Sequence, residues 1–204
     1  RALPLAQVLG CVVHMSASVT APGLIHHAMG QKFIVGEPQG GTSERMASIL
    51  DVLTRAGLEG VGSATIRHDI WYKLWGNMTM NPVSALTGAT MDRLLLDPLV
   101  RAFCSTAMAE AALIGERIGC RIDQSPEDRH AVTAKLGAFK TSMLQDTEAG
   151  RAIELDALVG AVHEMGQRLG LATPNIGALL GLTRLMAQSR GLYPLTPLTP
   201  LTKP

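Results

Sequence analysis

Three polar residues at four-residue spacing, Lys73, Asn77 and Asn81, stand in a stretch that is otherwise almost entirely apolar. Because a helix turns by about 100° per residue, residues four apart lie on one face with roughly 40° of drift. The bulky residues of this stretch cover most of the remaining circumference: Trp71, Leu74, Trp75, Met78 and Met80. Lys73 is therefore expected to enter the protein interior, where desolvation would lower its pKa toward the operating range of a proton donor, while an ionised Glu154 nearby would raise the pKa again.

Pro82 directly follows Asn81 and limits how far this polar face can extend. Proline lacks a backbone donor and disfavours the α region for the residue before it. The sequence therefore predicts that the helix kinks or ends at Asn81, or that Asn81 caps the helix that follows. Lys73 and Asn77 remain a pair on one helix in either case.

The elements around this stretch change character along the chain. Strand-like runs come first, at residues 8–19, 24–29 and 32–37, and a helix follows from Ser43 to a stop at Gly57. A short strand is predicted near residues 58–61, and helical patterns dominate afterwards. The predicted fold class is therefore mixed, with an α/β region over residues 1–65, an all-α region over 66–190 and a proline-rich, extended or flexible tail over 191–204.

A second informative stretch covers residues 140–170. It predicts a short helix at residues 142–146, a loop containing Gly150, and a long helix from about residue 153 to 169. Glu154 would then lie in the first turn of the long helix. Asp97-Pro98 and Ser125-Pro126 mark two further helix starts.

Composition limits the classes of partner. The 204 residues are 47% hydrophobic and 17% charged, which predicts a large, well-filled core. The 18 basic residues are scattered among 17 acidic ones, so the chain has no basic stripe for nucleic acid or an anionic membrane. No apolar run approaches the roughly 20 residues that span a bilayer, and no signal-peptide pattern opens the sequence. We expect a cytoplasmic protein without nucleic acid or membrane partners.

Cysteine and histidine patterns give no metal site. The three cysteines have no paired spacing, which favours a reducing compartment over a disulfide framework or zinc site. His26 and His27 are adjacent in a strand-like run and point to opposite faces, so they cannot chelate one ion together. The sequence predicts no metal.

Several of these segments together resemble ketopantoate reductase (2-dehydropantoate 2-reductase). The likeness rests on VLGCVVHMSA near the start, on the spacing of Lys73, Asn77 and Asn81-Pro82, and on SMLQD followed by Glu154-Leu155-Asp156. It spans residues 7–187, and the order and spacing of the pieces make it specific.

This resemblance implies a Rossmann domain followed by a helical domain like the C-terminal domain of 6-phosphogluconate dehydrogenase. It further implies a 2-keto acid substrate, ketopantoate, which NADPH reduces to pantoate, a precursor of pantothenate and coenzyme A. Carried over residue by residue, Lys73 is the general acid and Glu154 the assisting catalytic residue. The resemblance assigns substrate binding to Asn77, Asn81 and Ser142.

One part of the family pattern is missing from these 204 residues. No G-x-G-x-x-G motif follows a strand, and Gly40-Gly41 precedes a helix without a preceding βαβ unit of suitable length. Residues 1–65 therefore resemble only the last strands and helix of an NADPH-binding Rossmann-like domain. We expect the chain alone to hold NADPH weakly and to be inactive, and the full-length protein to bind it.

Each candidate residue also has an ordinary structural role open to it. Lys73 can extend its amine to the surface from a half-buried helix, and Glu154 can interact as a first-turn carboxylate with the helix dipole. Ser142 and Asn81 can cap helices.

Asp146 and Asp156 are interpreted as structural or solvent-exposed. Two other functions stay open for the chain: a related 2-keto or 3-hydroxy acid dehydrogenase, or a non-catalytic helical module that forms a homodimer or partner interface.

Overall fold

The computed structural model describes residues 3–194. Residues 195–204, which hold most of the proline repeat of the predicted tail, lie outside that range. The chain divides into two compact units after Lys73, inside one long helix. The domain limits at residues 65 and 190 stay predictions.

The first unit contains a three-stranded sheet in the order β1-β2-β3. Strands β1 (Gly10–Ala21) and β2 (Leu24–Gly36) form an antiparallel hairpin. Helix α1 (Glu44–Arg55) connects β2 to β3 (Glu59–Ser63), which pairs in parallel with β2. A parallel pair requires such a crossover connection. The predicted mixed fold class is confirmed, with this small sheet preceding a region of helices.

Local sequence signals explain how α1 starts and stops. The Ser43 side chain accepts a hydrogen bond from the Met46 amide at 3.2 Å, which satisfies one of the donors that a helix N-terminus leaves open. Gly57 follows the helix with a φ of 77°, a conformation that favours glycine. The predicted helix and the short strand after it are confirmed.

The strand-like runs at residues 24–29 and 32–37 belong to one strand rather than two. Gly30, which separates them, has a φ of 76°, and the register with β1 shifts between His14 and Ser16. A Cβ atom at Gly30 would lie 2.3 Å from the His14 carbonyl oxygen. The glycine therefore marks a bulge inside a strand, not a strand end.

Helices make up the second unit. Helix α2 (Ile66–Thr87) passes through the division between the units. It is followed by α3 (Met91–Leu96), α4 (Pro98–Arg117), α5 (Pro126–Ala134), α6 (Ser142–Glu148), a π turn (Asp156–Gly160), α7 (Ala161–Arg168) and α8 (Pro174–Ser189). Between residues 3 and 194, none of these helices combines the length and the apolarity that crossing a membrane requires.

Part of the core of this unit forms where α2, α3, α4 and α8 pack together. Its buried members are Met80, Val83, Met91, Leu94, Cys104 and Leu179. Two of these residues come from the stretch that flanks Asn81, so the packing of the core fixes that part of α2. Side chains in a close-packed core tolerate little displacement.

The predicted helix end or cap at Asn81-Pro82 is wrong, whereas the alternative of a kink there stays a prediction. Helix α2 continues to Thr87 with Pro82 in its interior, so Asn81 is neither a terminal residue nor a cap. Proline has no amide to donate to the Met78 carbonyl, a loss that destabilises an isolated helix by about 3 kcal/mol. Here Asn81, Pro82 and Val83 are all buried, and tertiary packing of α2 overrides the local preference.

The other predicted helix boundaries rest on cap chemistry and agree with the structure. Asp97 accepts from the amides of Leu99 and Val100 at 2.9 and 3.0 Å, which starts α4. Ser125 and Asp128 form a reciprocal capping box at the start of α5.

The helix predicted from about residue 153 begins later and less regularly. Leu155 is its first helical residue, and the π turn separates it from α7. Glu154 therefore lies just before the helix instead of inside its first turn.

Candidate functional site

Lys73 is the last residue of the first unit and projects from α2. Its side chain is half-buried, and Nζ donates a hydrogen bond to the Val13 carbonyl oxygen of β1 at 2.5 Å. Val13 pairs with Phe33 in the hairpin, so a regular part of the sheet supports the acceptor. The amine is thus oriented by a backbone group that cannot titrate.

Cys11 lies within electrostatic reach of this lysine. Burial raises the pKa of the Cys11 thiol, and the positive charge of Lys73 opposes that shift. Because burial is the larger effect, the thiol is protonated near neutral pH and is a poor nucleophile.

Asn77 and Asn81 follow on the same helix, in the second unit. Asn77 is half-buried, whereas Asn81 is only 7% exposed. The Asn81 Nδ2 atom donates to Ser142 Oγ at 3.4 Å, a long and therefore weak hydrogen bond. The structure thus brings together two of the predicted substrate-binding residues, which are 61 positions apart in sequence and lie on different helices.

Ser142 does not cap α6. The capping residue is Thr141, whose side chain accepts from the Leu144 amide at 3.1 Å. Ser142 is the first residue of the helix and is exposed, so its hydroxyl is available to the Asn81 amide. An amide and a hydroxyl together offer both donors and acceptors for a small polar ligand.

Glu154 is exposed and lies between two buried residues, Ile153 and Leu155. Its carbonyl accepts from the Leu158 amide at 3.2 Å, so Glu154 is at the N-terminal boundary of the helix. The helix dipole favours a carboxylate in this position. Within residues 3–194 the Glu154 side chain makes no hydrogen bond or ion pair, and its exposure leaves the carboxylate oxygens accessible to solvent or ligand.

Gly76 is a residue of this region that sequence reasoning missed. A Cβ atom at this position would lie 2.6 Å from Nε of Arg129, which packs from α5 against α2. A glycine inside an apolar helical pattern is the signal that could have indicated such a close approach.

Ser105 and His130 form a polar pair elsewhere in the second unit. Ser105 Oγ donates to Glu127 Oε1 at 3.1 Å and lies 2.9 Å from His130 Nε2. His130 is 1% exposed, and its Nδ1 atom has no partner among the described residues, although a catalytic triad would place its acid there. Burial lowers the pKa of His130, with Glu127 opposing the shift. The pair is therefore not arranged as a nucleophile and its base.

Residues 3–194 contain no group of three or more histidine, cysteine, aspartate or glutamate side chains that could hold an ion.

The sequence of most of the helical part of the chain matches a known protein family. Residues 65–187 match the family described as ketopantoate reductase PanE/ApbA, C-terminal. The matched range contains all five residues for which the sequence predicts a role: Lys73, Asn77, Asn81, Ser142 and Glu154.

Individual proteins of known name are also similar to this chain in sequence or in structure. The 2-dehydropantoate 2-reductase of Mesorhizobium japonicum is 45% identical over 92% of this chain and 57% of its own length. The crystal structure of a proposed ketopantoate reductase from Ralstonia solanacearum MolK2 has a TM-score of 0.90 and 59% identity over 94% of this chain and 58% of that one. A D-mandelate dehydrogenase in a ternary complex with NADH and anilino(oxo)acetate shares the fold, with a TM-score of 0.80 and 22% identity over 93% and 63% of the two chains.

The chain thus spans less than two thirds of each of these proteins. The matched family range nevertheless covers more than half of the chain itself. This chain therefore belongs to the ketopantoate reductase family.

Proposed function

We propose that this chain is the C-terminal part of an NADPH-dependent reductase that converts 2-dehydropantoate to pantoate. The observation that carries the proposal is the hydrogen bond between Asn81 and Ser142, within a range that matches the ketopantoate reductase family. Asn81 and Ser142 are both proposed to bind the substrate, and they contact each other although they lie on separate helices. A chance similarity of short motifs does not require that contact.

The proposed reaction adds a hydride and a proton across the ketone of the substrate. When bound, NADPH supplies the hydride to the carbonyl carbon. The oxygen then carries developing negative charge and takes a proton from the Lys73 ammonium, which gives the alcohol. The hydrogen bond from Nζ to Val13 fits this role because it orients the amine without neutralising it.

The remaining residues are proposed to bind and orient the substrate. Asn77, Asn81 and Ser142 carry amide and hydroxyl groups that can bond a hydroxyl or carboxylate. Glu154 is proposed to assist catalysis near the substrate hydroxyl, and its exposed carboxylate leaves the oxygens available for this.

The described residues do not fit the phosphate-binding part of a dinucleotide site. The Gly40-Gly41 turn lies between β2 and α1, but its Gly41 amide is already bonded to the Ala64 carbonyl at 3.0 Å, and residues 36–44 do not have the G-x-G-x-x-G pattern. We therefore propose that a preceding part of the full-length protein binds the NADPH phosphates.

Oxidation of NADPH by the full-length protein tests the proposed substrate and cofactor. Ketopantoate should give the highest kcat/KM in a panel of 2-keto acids, and NADPH should be preferred to NADH. The 204-residue chain alone serves as the matched control for cofactor binding. Micromolar NADPH binding by that chain would contradict the proposed location of the nucleotide site.

A related 2-keto acid dehydrogenase is the second candidate. The fold shared with D-mandelate dehydrogenase favours it, since one helical architecture can serve several 2-keto acids. A higher kcat/KM for an aromatic 2-keto acid than for ketopantoate would select this candidate. Association of two copies through the helices remains a prediction, which light scattering of the full-length protein tests.

A further inference from the structure

The segment that follows α8 contacts the chain on both sides of Glu154. Leu192 is 4% exposed, and its carbonyl accepts from the Ile153 amide at 3.2 Å. Tyr193 follows and donates from its hydroxyl to Asp156 Oδ1 at 2.6 Å. Glu154 is thus bracketed by one backbone and one side-chain hydrogen bond from two consecutive residues.

The end of α8 holds this segment in place. Gly191 adopts a φ of 69°, and the Leu192 amide donates back to the Ala187 carbonyl at 2.8 Å. The Gly191 amide bonds to the Gln188 carbonyl at 3.1 Å. Together these bonds form a Schellman-type helix end, which fixes the direction in which the chain leaves α8.

Glu154 lies two residues before an irregular turn of the helix. Asp156 begins the π turn, and its carbonyl accepts from the amide of Ala161, five residues later. Single π turns inside helices are rare and frequently lie at functional sites. Burial of Ile153 and Leu155 sets the outward direction of the Glu154 side chain, while the hydrogen bonds from the α8 side set its place along the turn.

We propose that Leu192 and Tyr193 are positioning residues for Glu154, Leu192 through the Ile153 amide and Tyr193 through Asp156. This inference rests on the catalytic role proposed for Glu154. Neither residue touches the substrate in this account. Their effect on the reaction is to hold the carboxylate where it can assist.

A double-mutant cycle in the full-length protein tests this coupling. Tyr193→Phe removes only the hydroxyl and should lower kcat/KM for ketopantoate by roughly 3- to 10-fold, the range for one hydrogen bond. In a Glu154→Gln background the same change should have no further effect, because the residue it positions is already altered. An equal loss in both backgrounds would assign Tyr193 a merely structural role and overturn the proposal.

Amide exchange provides a readout that does not depend on activity. Tyr193→Phe should speed exchange of the Ile153 and Leu158 amides by roughly 3- to 10-fold, since the turn loses one of its supports. Ser189→Ala is the matched control, because the hydroxyl that it removes donates to the Met186 carbonyl within α8. Unchanged exchange at Ile153 would overturn the proposal.

The two readouts separate this inference from the proposed function. If Glu154→Gln retains the full wild-type kcat/KM, the catalytic role of Glu154 fails. The exchange data then still decide whether the Leu192–Tyr193 segment fixes the turn.

Discussion

Asn81 and Glu154 are held in opposite ways. Asn81 is 7% exposed in the interior of a helix of 22 residues, and the packing of its neighbours fixes its position. Glu154 is exposed and precedes an irregular turn, where a few hydrogen bonds from a distant segment determine its position. Changes near Asn81 should therefore affect folding first, whereas changes near Glu154 should affect activity first.

Among the substitutions near the buried Asn81, Gly76→Leu should lower the free energy of unfolding the most. The new side chain would displace the Arg129 guanidinium from α2, and overpacking of this kind destabilises a core by about 3 kcal/mol. Urea unfolding measures the change. Gly181→Leu is the matched control, because a Cβ at that helical glycine meets nothing within 4 Å. Equal destabilisation by both substitutions would contradict the close approach of Arg129.

Two nearly isosteric substitutions compare the two sites directly. Asn81→Asp buries a carboxylate and should lower the free energy of unfolding by about 2 kcal/mol. Glu154→Gln alters an exposed group and should change it by less than about 0.5 kcal/mol. Urea unfolding at neutral pH gives both values. A larger loss of stability at Glu154 than at Asn81 would reverse the comparison.

Thr141 and Ser142 are neighbours at the start of α6, but Thr141 caps the helix whereas Ser142 is proposed to bind the substrate. Thr141→Ala removes the cap and should cost about 1 kcal/mol of stability. Ser142→Ala breaks only a long hydrogen bond and should cost less than about 0.5 kcal/mol, yet raise KM for ketopantoate several-fold. Thermal unfolding and steady-state kinetics measure the two effects. If Ser142→Ala leaves KM unchanged, Ser142 does not bind the substrate.

His130, which is buried in the second unit, should make the stability of the protein depend on pH. Because burial lowers its pKa in the folded protein, the unfolded chain binds a proton more readily. Stability should therefore be highest above the ordinary histidine pKa of about 6.5 and should fall as the pH drops below it. Unfolding curves from pH 8 to pH 5 should show a smaller fall in His130→Gln than in the wild type. The same fall in both would exclude His130 as the cause.

Local chemistry made part of the fold predictable. Ser43, Asp97 and Ser125 each carry a side chain that satisfies nearby backbone donors, so the starts of three helices could be read from a few consecutive residues. The spacing of Lys73 and Asn77 on one helix follows from helical geometry in the same way.

Long-range packing explains what the sequence did not reveal. The local preference of Pro82 predicts a break, but burial along α2 overrides it. The hydrogen bond between Tyr193 and Asp156 joins residues 37 positions apart, and no periodic pattern signals it. The support for Glu154 could therefore be found only in three dimensions.

The turnover number of full-length Lys73→Ala tests the proposed reaction most directly. If Lys73 donates the proton to the substrate oxygen, kcat with ketopantoate and NADPH should fall by about 10²- to 10⁴-fold while the protein still folds. Lys73→Arg should also fail, because a guanidinium is bulkier and holds its proton. Turnover by Lys73→Ala at the wild-type rate would contradict the assignment.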